Sequence, residues 1–364
     1  MNDKITKIIE SIRPLDAAAV KAAEERQAKL AKPPGSLGLL ENISIQLAGI
    51  SGKVKNHIEK CRIIVCCADN GIIEEGVSSA PRSVTMAQAV NMTKRLTGMS
   101  SMAKYFGNDV QVADLGIADE YDCPEVLDFK ISRGTKNFLK EDAMSREDAE
   151  RALLTGIRLA EKAKEDGYDA IGVGEMGIGN TSTSSAILSV LAGVDIETVT
   201  GRGGGLTDAA FMHKKDVLEK AIALRNPDPA DVIDVISKVG GLDIAAMCGV
   251  YIGAAACRLP VVIDGFISVV AALCAAKLCP DAVSYMFPSH KSFEPGYRLA
   301  VEILGITPWL ELGMRLGEGS GCPIAFQVMK AACAAMNDMA LFGEESVIDD
   351  GYLDEIRKGD SFTV

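Results

Sequence analysis

Histidine is scarce in this sequence. His57, His213 and His290 are the only three, so a metal centre built on imidazoles is not expected. Paired cysteine motifs are missing as well. The ten thiols, at 61, 66, 67, 123, 248, 257, 274, 279, 322 and 333, contain no C-x-x-C and mostly sit in apolar runs. That usage fits reduced, buried cysteines in the cytoplasm rather than a disulfide frame or a zinc site. Positive charge is in deficit. Lys and Arg number 38 against 50 Asp and Glu, a formal net charge of −12, which speaks against a general nucleic-acid surface but leaves room for a local phosphate grip. The N-terminus lacks the apolar segment of a signal peptide. The most apolar stretch, 245–279, is broken by Arg258, Pro260 and Asp264 into pieces too short to span a bilayer; it reads as helix, strand and helix. Internal repeats and low-complexity linkers are also lacking.

What is present is a long alternation of strand and helix patterns. At 364 residues the chain has room for a large core, or for one large and one small domain. Helices are expected at 4–12, 15–31 and 39–48, the last two separated by the rigid turn Lys32-Pro33-Pro34-Gly35-Ser36-Leu37-Gly38. Strands are expected at 62–68, 110–114, 127–131, 168–173, 260–263 and 282–287, with helices at 84–96, 146–164, 184–192, 207–224, 244–257 and 323–339. The residues from 344 onward form an acidic, exposed tail. This order predicts an α/β fold with a mostly parallel, Rossmann-like sheet flanked by helices. A small helical domain would be drawn from both ends of the chain. The expected division is 1–58, 59–310 and 311–364, the last holding a glutamate loop and terminal helices.

The densest motif is Gly172–Thr183, Gly-Val-Gly-Glu-Met-Gly-Ile-Gly-Asn-Thr-Ser-Thr. It reads as a glycine-rich turn from strand to helix, a place where bare N–H groups and a helix dipole receive anions. Asn180, Thr181 and Ser182 would cap the helix. Glu175 is out of place beside a phosphate and points to ribose hydroxyls or a proton. Gly172, Gly174 and Gly177 also spell G-x-G-x-x-G, a weak dinucleotide signal, while no lysine precedes Thr181 as a Walker motif requires. Gly201-Arg202-Gly203-Gly204-Gly205 forms a second cradle, with Lys214 and Lys215 about two turns into the following helix. Ala68-Asp69-Asn70-Gly71, Asp264-Gly265 and the polar run 288–292, which contains His290 and Ser292, lie at strand ends, where open α/β sheets keep ligands. Glu318, glycine-flanked in Gly-Glu-Gly-Ser-Gly, presents its carboxylate to whatever approaches. Right-handed crossovers bring these turns to one sheet edge, which argues for a nucleotide-sized site.

Taken together, KPPGSLG at 32–38, the ADNG block at 68–71, GEMGIGNTST at 174–183, GRGGGL at 201–206, Val262–Gly265 and GMRLGEGSG at 313–321 resemble the nicotinate-nucleotide–dimethylbenzimidazole phosphoribosyltransferase family. The blocks keep the family's order over nearly the whole chain. The resemblance implies transfer of the phosphoribosyl group of nicotinate mononucleotide to an aromatic base, with inversion at C1′, for the lower ligand of cobalamin. It implies Glu318 as the base and Glu175 in a supporting role, with neither a metal nor a cofactor. Gly177, Asn180, Thr181, Gly203 and Lys214, with Asp264 and Ser292, would serve the phosphate and ribose. Ser79, Gln88, Met176 and Leu316 would line the acceptor slot. Asn70 stands where a histidine is more usual, which bears on the choice of acceptor. A homodimer acting on small molecules, away from membranes and nucleic acid, is implied as well. Two other readings remain open from the residues: an NAD(P)-dependent oxidoreductase, and a nucleotide sensor without chemistry.

Overall fold

The computed structural model describes residues 1–343, 348 and 350–353; most of the acidic tail expected from 344 onward lies outside them. The chain divides into two compact units, one of Met1–Arg13 with Lys60–Ala325, the other of Pro14–Glu59 with the chain from Phe326 onward. The first helix thus belongs to the large unit rather than with the two that follow it. Among the described residues the strands are β1 (Cys61–Ala68), β2 (Asp109–Gly116), β3 (Val126–Asp128), β4 (Ala170–Met176), β5 (Val261–Ile263) and β6 (Met286–Pro288). The helices are α1 (Asp3–Ser11), α2 (Ala17–Lys29), α3 (Leu39–Ser51), α4 (Ser83–Thr93), α5 (Gly98–Tyr105), α6 (Arg146–Glu165) and α7 (Asn180–Ala192). They continue as α8 (Ile196–Val199), α9 (Asp208–Arg225), α10 (Val232–Val239), α11 (Leu242–Ala256), α12 (Phe266–Leu278), α13 (Pro295–Leu304) and α14 (Cys322–Asp338).

In the large unit all strand pairs are parallel and the order is β3-β2-β1-β4-β5-β6. β1 is buried at every position but Arg62, as a strand covered on both faces must be. The order reverses between β1 and β4, so the carboxyl ends of β4, β5 and β6 open on one side of a switch point. α11 is buried from Leu242 to Ala255 and meets α6 backbone to backbone. A Cβ added at Gly156 of α6 would lie 1.8 Å from the Ala246 carbonyl oxygen, and one at Gly249 of α11 would lie 1.9 Å from that of Leu153. Only hydrogen atoms fit there.

The small unit packs Ala23 of α2, Ala48 of α3 and Met336 of α14 with Ile45 and Val54. Arg26 donates to the carbonyls of Met336 and Asn337, capping the end of α14. In the Pro-Pro-Gly turn, Lys32 pairs with Glu41 at 2.6 Å, and Glu41 also accepts the Leu37 N–H; Gly38 starts α3.

Several expectations need correction. The strand expected at 282–287 is a 3-10 turn over Pro280–Tyr285, and only Met286–Pro288 pairs, because Pro280 presets a helical turn. The helix expected at 84–96 ends at Thr93. Arg95 turns left-handed, and Thr97 with Ser100 forms a capping box that starts a separate α5. The short helices α8, α10 and α13 have no counterpart in the sequence reading. The ten cysteines carry no disulfide, and nine are buried. Among the described residues no helix is long and apolar enough to cross a membrane.

Gly156→Ala drives a methyl group into the α11 backbone. A loss of about 1–3 kcal/mol or more is expected, readable as a lower urea midpoint, whereas Ala at solvent-facing Gly167, where nothing lies within 4 Å of the added carbon, acts only through its left-handed backbone.

Candidate active site

The strand expected at 168–173 runs on to Met176, so Gly172 and Gly174 lie inside β4 and the turn is reduced to Gly177–Gly179. Helix α7 begins at Asn180, four residues early. Its cap is left-handed Gly179, without a side-chain hydrogen bond, so Asn180, Thr181 and Ser182 are not the capping residues expected of them. Their side chains are released for other contacts. Gly174 gives room to a neighbouring backbone: a Cβ there would lie 2.5 Å from the Glu318 carbonyl oxygen. The G-x-G-x-x-G pattern therefore comes from strand packing rather than a pyrophosphate loop.

A cavity of about 230 Å³ opens at the carboxyl ends of β4, β5 and β6. It is lined by Ser79, Gln88, Glu175, Met176, Gly177, Asn180, Thr181, Gly203, Asp264, Ser292, Leu316 and Glu318. All the base, supporting, phosphate–ribose and acceptor-slot residues that the resemblance implies are there except Lys214; Asn70 and Ser182 are not. Lys214 lies directly behind, 1% exposed, donating to Thr181 Oγ1 at 3.0 Å and to the Gly201 carbonyl at 3.3 Å. Burial pulls its pKa down to about 8, so it stays largely charged at neutral pH. Lys215, by contrast, pairs with Glu197 outside. Glu294, Arg315 and His290 also line the cavity. Burial lowers His290 to about 4, leaving it neutral, and its Nδ1 lies 3.0 Å from Ser289 Oγ.

The loop before α14 is held in an unusual shape. Gly317, Glu318 and Gly319 all have positive φ, at 83°, 65° and 87°. For a glutamate this costs about 1–2 kcal/mol, and two buried carboxylates hold it. Glu175 Oε1 accepts the Glu318 N–H at 3.0 Å. Asp264 accepts the N–H groups of Gly319 and Gly321 at 3.0 and 2.7 Å. The Glu318 side chain is fixed separately, its Oε2 accepting the Met99 N–H in the first turn of α5 at 3.1 Å. The sequence reading missed this contact because it missed α5; the Thr97-x-x-Ser100 pair was the available signal.

A second missed residue is Asp243, wholly buried in the first turn of α11. The Asn180 amide nitrogen donates to Glu175 Oε2 and to Asp243 Oδ2. Burial raises Glu175, Asp243 and Asp264 each to about 7, against the backbone N–H groups that favour their charged forms. Among the described residues no group of three or more His, Cys, Asp and Glu could hold a metal ion.

A glycine cradle backed by a buried lysine, opposite a fixed carboxylate at the edge of a parallel sheet, belongs to an α/β enzyme that handles a phosphorylated small molecule. The family model described as phosphoribosyltransferase matches residues 12–347. The chain is 49% identical over 360 residues to the nicotinate-nucleotide–dimethylbenzimidazole phosphoribosyltransferase of Clostridium perfringens, covering 99% of both chains. It is 46% identical over 358 residues to that of Clostridium tetani, covering 97% of this chain and 99% of the relative. The crystal structure of CobT from Thermus thermophilus superposes with a TM-score of 0.86 at 35% identity, covering 89% of this chain and 97% of that one. This chain is a member of the nicotinate-nucleotide–dimethylbenzimidazole phosphoribosyltransferase family. Neither the oxidoreductase nor the sensor reading finds support in these relatives.

Glu175 has a folded-state pKa of about 7 against an ordinary 4.5. Between those values the native state holds the extra proton, so this group costs stability as pH rises through the window. Glu175→Gln carries no such cost. Its melting temperature relative to the parent protein is therefore expected to climb from pH 4.5 to 7 in a differential scan. A difference that stays constant or falls over that interval contradicts the raised pKa.

Proposed function

We propose that this cavity transfers the phosphoribosyl group of nicotinate mononucleotide to the ring nitrogen of an aromatic base such as 5,6-dimethylbenzimidazole. The products are nicotinate and an α-riboside 5′-phosphate destined for a cobalamin lower ligand. The observation that carries the proposal is Glu318: a carboxylate clamped at both backbone and side chain, in the same cavity as the Gly203 turn and Thr181.

The chemistry asks little else. The C1′–N bond to nicotinate breaks and its electron pair stays with the departing ring, which leaves as a neutral pyridine nitrogen. No general acid is required. The acceptor nitrogen attacks C1′ from the opposite face, inverting it, and the ring N–H proton passes to the Glu318 carboxylate. Rate then comes from that base and from alignment. Gly177, Gly203, Thr181 and Ser292 hold the phosphate and ribose, with Lys214 supplying positive charge through Thr181. Met176, Leu316, Gln88 and Ser79 form the acceptor slot. Glu175 and Asp264 act on the loop that carries the base, Asn180 on Glu175. The working unit is a homodimer, testable by sedimentation, and ten unbridged thiols favour the cytoplasm.

The deciding experiment is chromatographic. Protein is incubated with nicotinate mononucleotide and, separately, dimethylbenzimidazole, adenine, a cresol or no acceptor. Nicotinate and an α-riboside phosphate are expected with at least one acceptor; their absence with every acceptor overturns the proposal. Glu318→Ala is expected to lower kcat by about 100- to 10,000-fold while calorimetric binding of the mononucleotide survives. Normal turnover at saturation with weakened binding would remove Glu318 from the base role.

A further inference from the structure

Asp243 lines no part of the cavity, yet it is tied to it. The residue is 0% exposed. Its Oδ1 accepts the Ile244 N–H at 3.0 Å and its Oδ2 accepts the Asn180 amide at 3.2 Å. The same amide nitrogen donates to Glu175, and Glu175 in turn accepts the backbone N–H of Glu318. Four residues from four separate elements thus form one line of hydrogen bonds: α11, the first turn of α7, the end of β4 and the loop before α14.

We propose that Asp243 is a positioning residue for phosphoribosyl transfer, locking the Asn180 amide with its nitrogen toward Glu175 so that Glu175 can hold the Glu318 loop in its left-handed form. The inference rests on the transfer reading given above. An asparagine amide can present either end to a partner. Here a carboxylate on each side admits only the nitrogen. Both hydrogens of that nitrogen are used, so the two acceptors fix the orientation. Asp243 has an acceptor for each of its two donors; an asparagine at 243 would not. With its single oxygen kept on the Ile244 N–H, its own NH2 would face the Asn180 NH2. Asn180 then relieves the donor–donor contact by turning over, which sets its oxygen against the Glu175 carboxylate and breaks the line at its middle.

Charge adds a second consequence. The titratable groups that face Glu175 and Asp243 are Glu318 from the loop, Asp264 after β5, and the thiols of Cys66 and Cys67 on β1. All are acidic and oppose ionisation of Glu175; the Asn180 amide, held by Asp243, is the side chain that favours it. Catalysis needs Glu175 ionised, because it is an acceptor from both Asn180 and Glu318.

The test uses Asp243→Asn in the full-length protein, with nicotinate mononucleotide and whichever acceptor the parent protein uses. kcat is expected to fall about 10- to 100-fold, the range that small misplacements of a reacting group produce, while KM for the mononucleotide changes less than about 2-fold. The acid limb of the kcat–pH profile moves to higher pH, because the turned Asn180 no longer gives Glu175 the hydrogen bond that favours its charged form. In the double variant with Asn180→Ala the two losses do not add. Unchanged kcat with an unmoved acid limb, or additive losses, overturns the proposal. Asp243→Ser, which keeps a small polar side chain, serves in the same kcat and KM measurements if Asp243→Asn does not fold. A carbon-13 titration of the glutamate carboxyls reads the coupling without activity: the Glu175 midpoint rises in Asp243→Asn, where the Asn180 donor is lost. If the parent protein transfers nothing to any acceptor, the reaction assignment fails, and the carboxyl titration alone still decides whether Asp243 is coupled to Glu175.

Discussion

A carboxylate removed from water must be given donors, because burial without them costs several kcal/mol. Much of the cavity floor is arranged around that demand. Glu175, Asp243 and Asp264 are each 6% exposed or less, and each is supplied with N–H groups, from the Glu318 loop, the Asn180 amide, the first turn of α11 and the glycines before α14. The demand runs in the other direction too. Gly317–Gly319 has a backbone that would not persist unsupported, and the carboxylates that need donors hold it in place. The loop and its acids therefore stabilise one another, and the outcome is a glutamate presented to the cavity with little freedom to turn away.

The sheet makes this possible by geometry. Strand order reverses between β1 and β4, so the ends of β4, β5 and β6 converge on one opening, each delivering an acid or polar residue: Glu175, Asp264 and His290. The glycine-to-backbone contact of α6 with α11 lets a buried helix lie close behind the strands, and its first turn carries Asp243 to the back of the site. A binding cavity and the supports behind it are thus drawn from the same crossovers.

The α/β class and the main strands were legible because buried parallel strands leave runs such as Cys61–Ala68 in which nearly every residue is apolar. The cavity residues were legible because glycine beside glutamate or asparagine has few purely structural explanations. What was not legible shows where sequence signals weaken. Helix α5 is eight residues long and follows α4 after a left-handed Arg95, so its periodicity merges with that of its neighbour; with it went the Met99 contact to Glu318. Asp243 stood one residue before the helix expected at 244–257 and drew no reading, since burial of a polar side chain leaves no mark on the sequence around it. Lys214 lies against the Gly201 carbonyl of the cradle, but no sequence pattern reveals that it meets the cavity-lining Thr181 and does not line the cavity itself.

Nine of the ten thiols are buried, and desolvation pushes those of Cys66, Cys67, Cys248, Cys274 and Cys322 upward. Such sulfurs are protonated and shielded, hence poor nucleophiles toward alkylating reagents and mild oxidants. A protein that looks vulnerable from its cysteine content is therefore chemically quiet while folded. Its thiols become a built-in gauge: the rate at which a soluble maleimide consumes them reports how often the parallel sheet opens, with no added label.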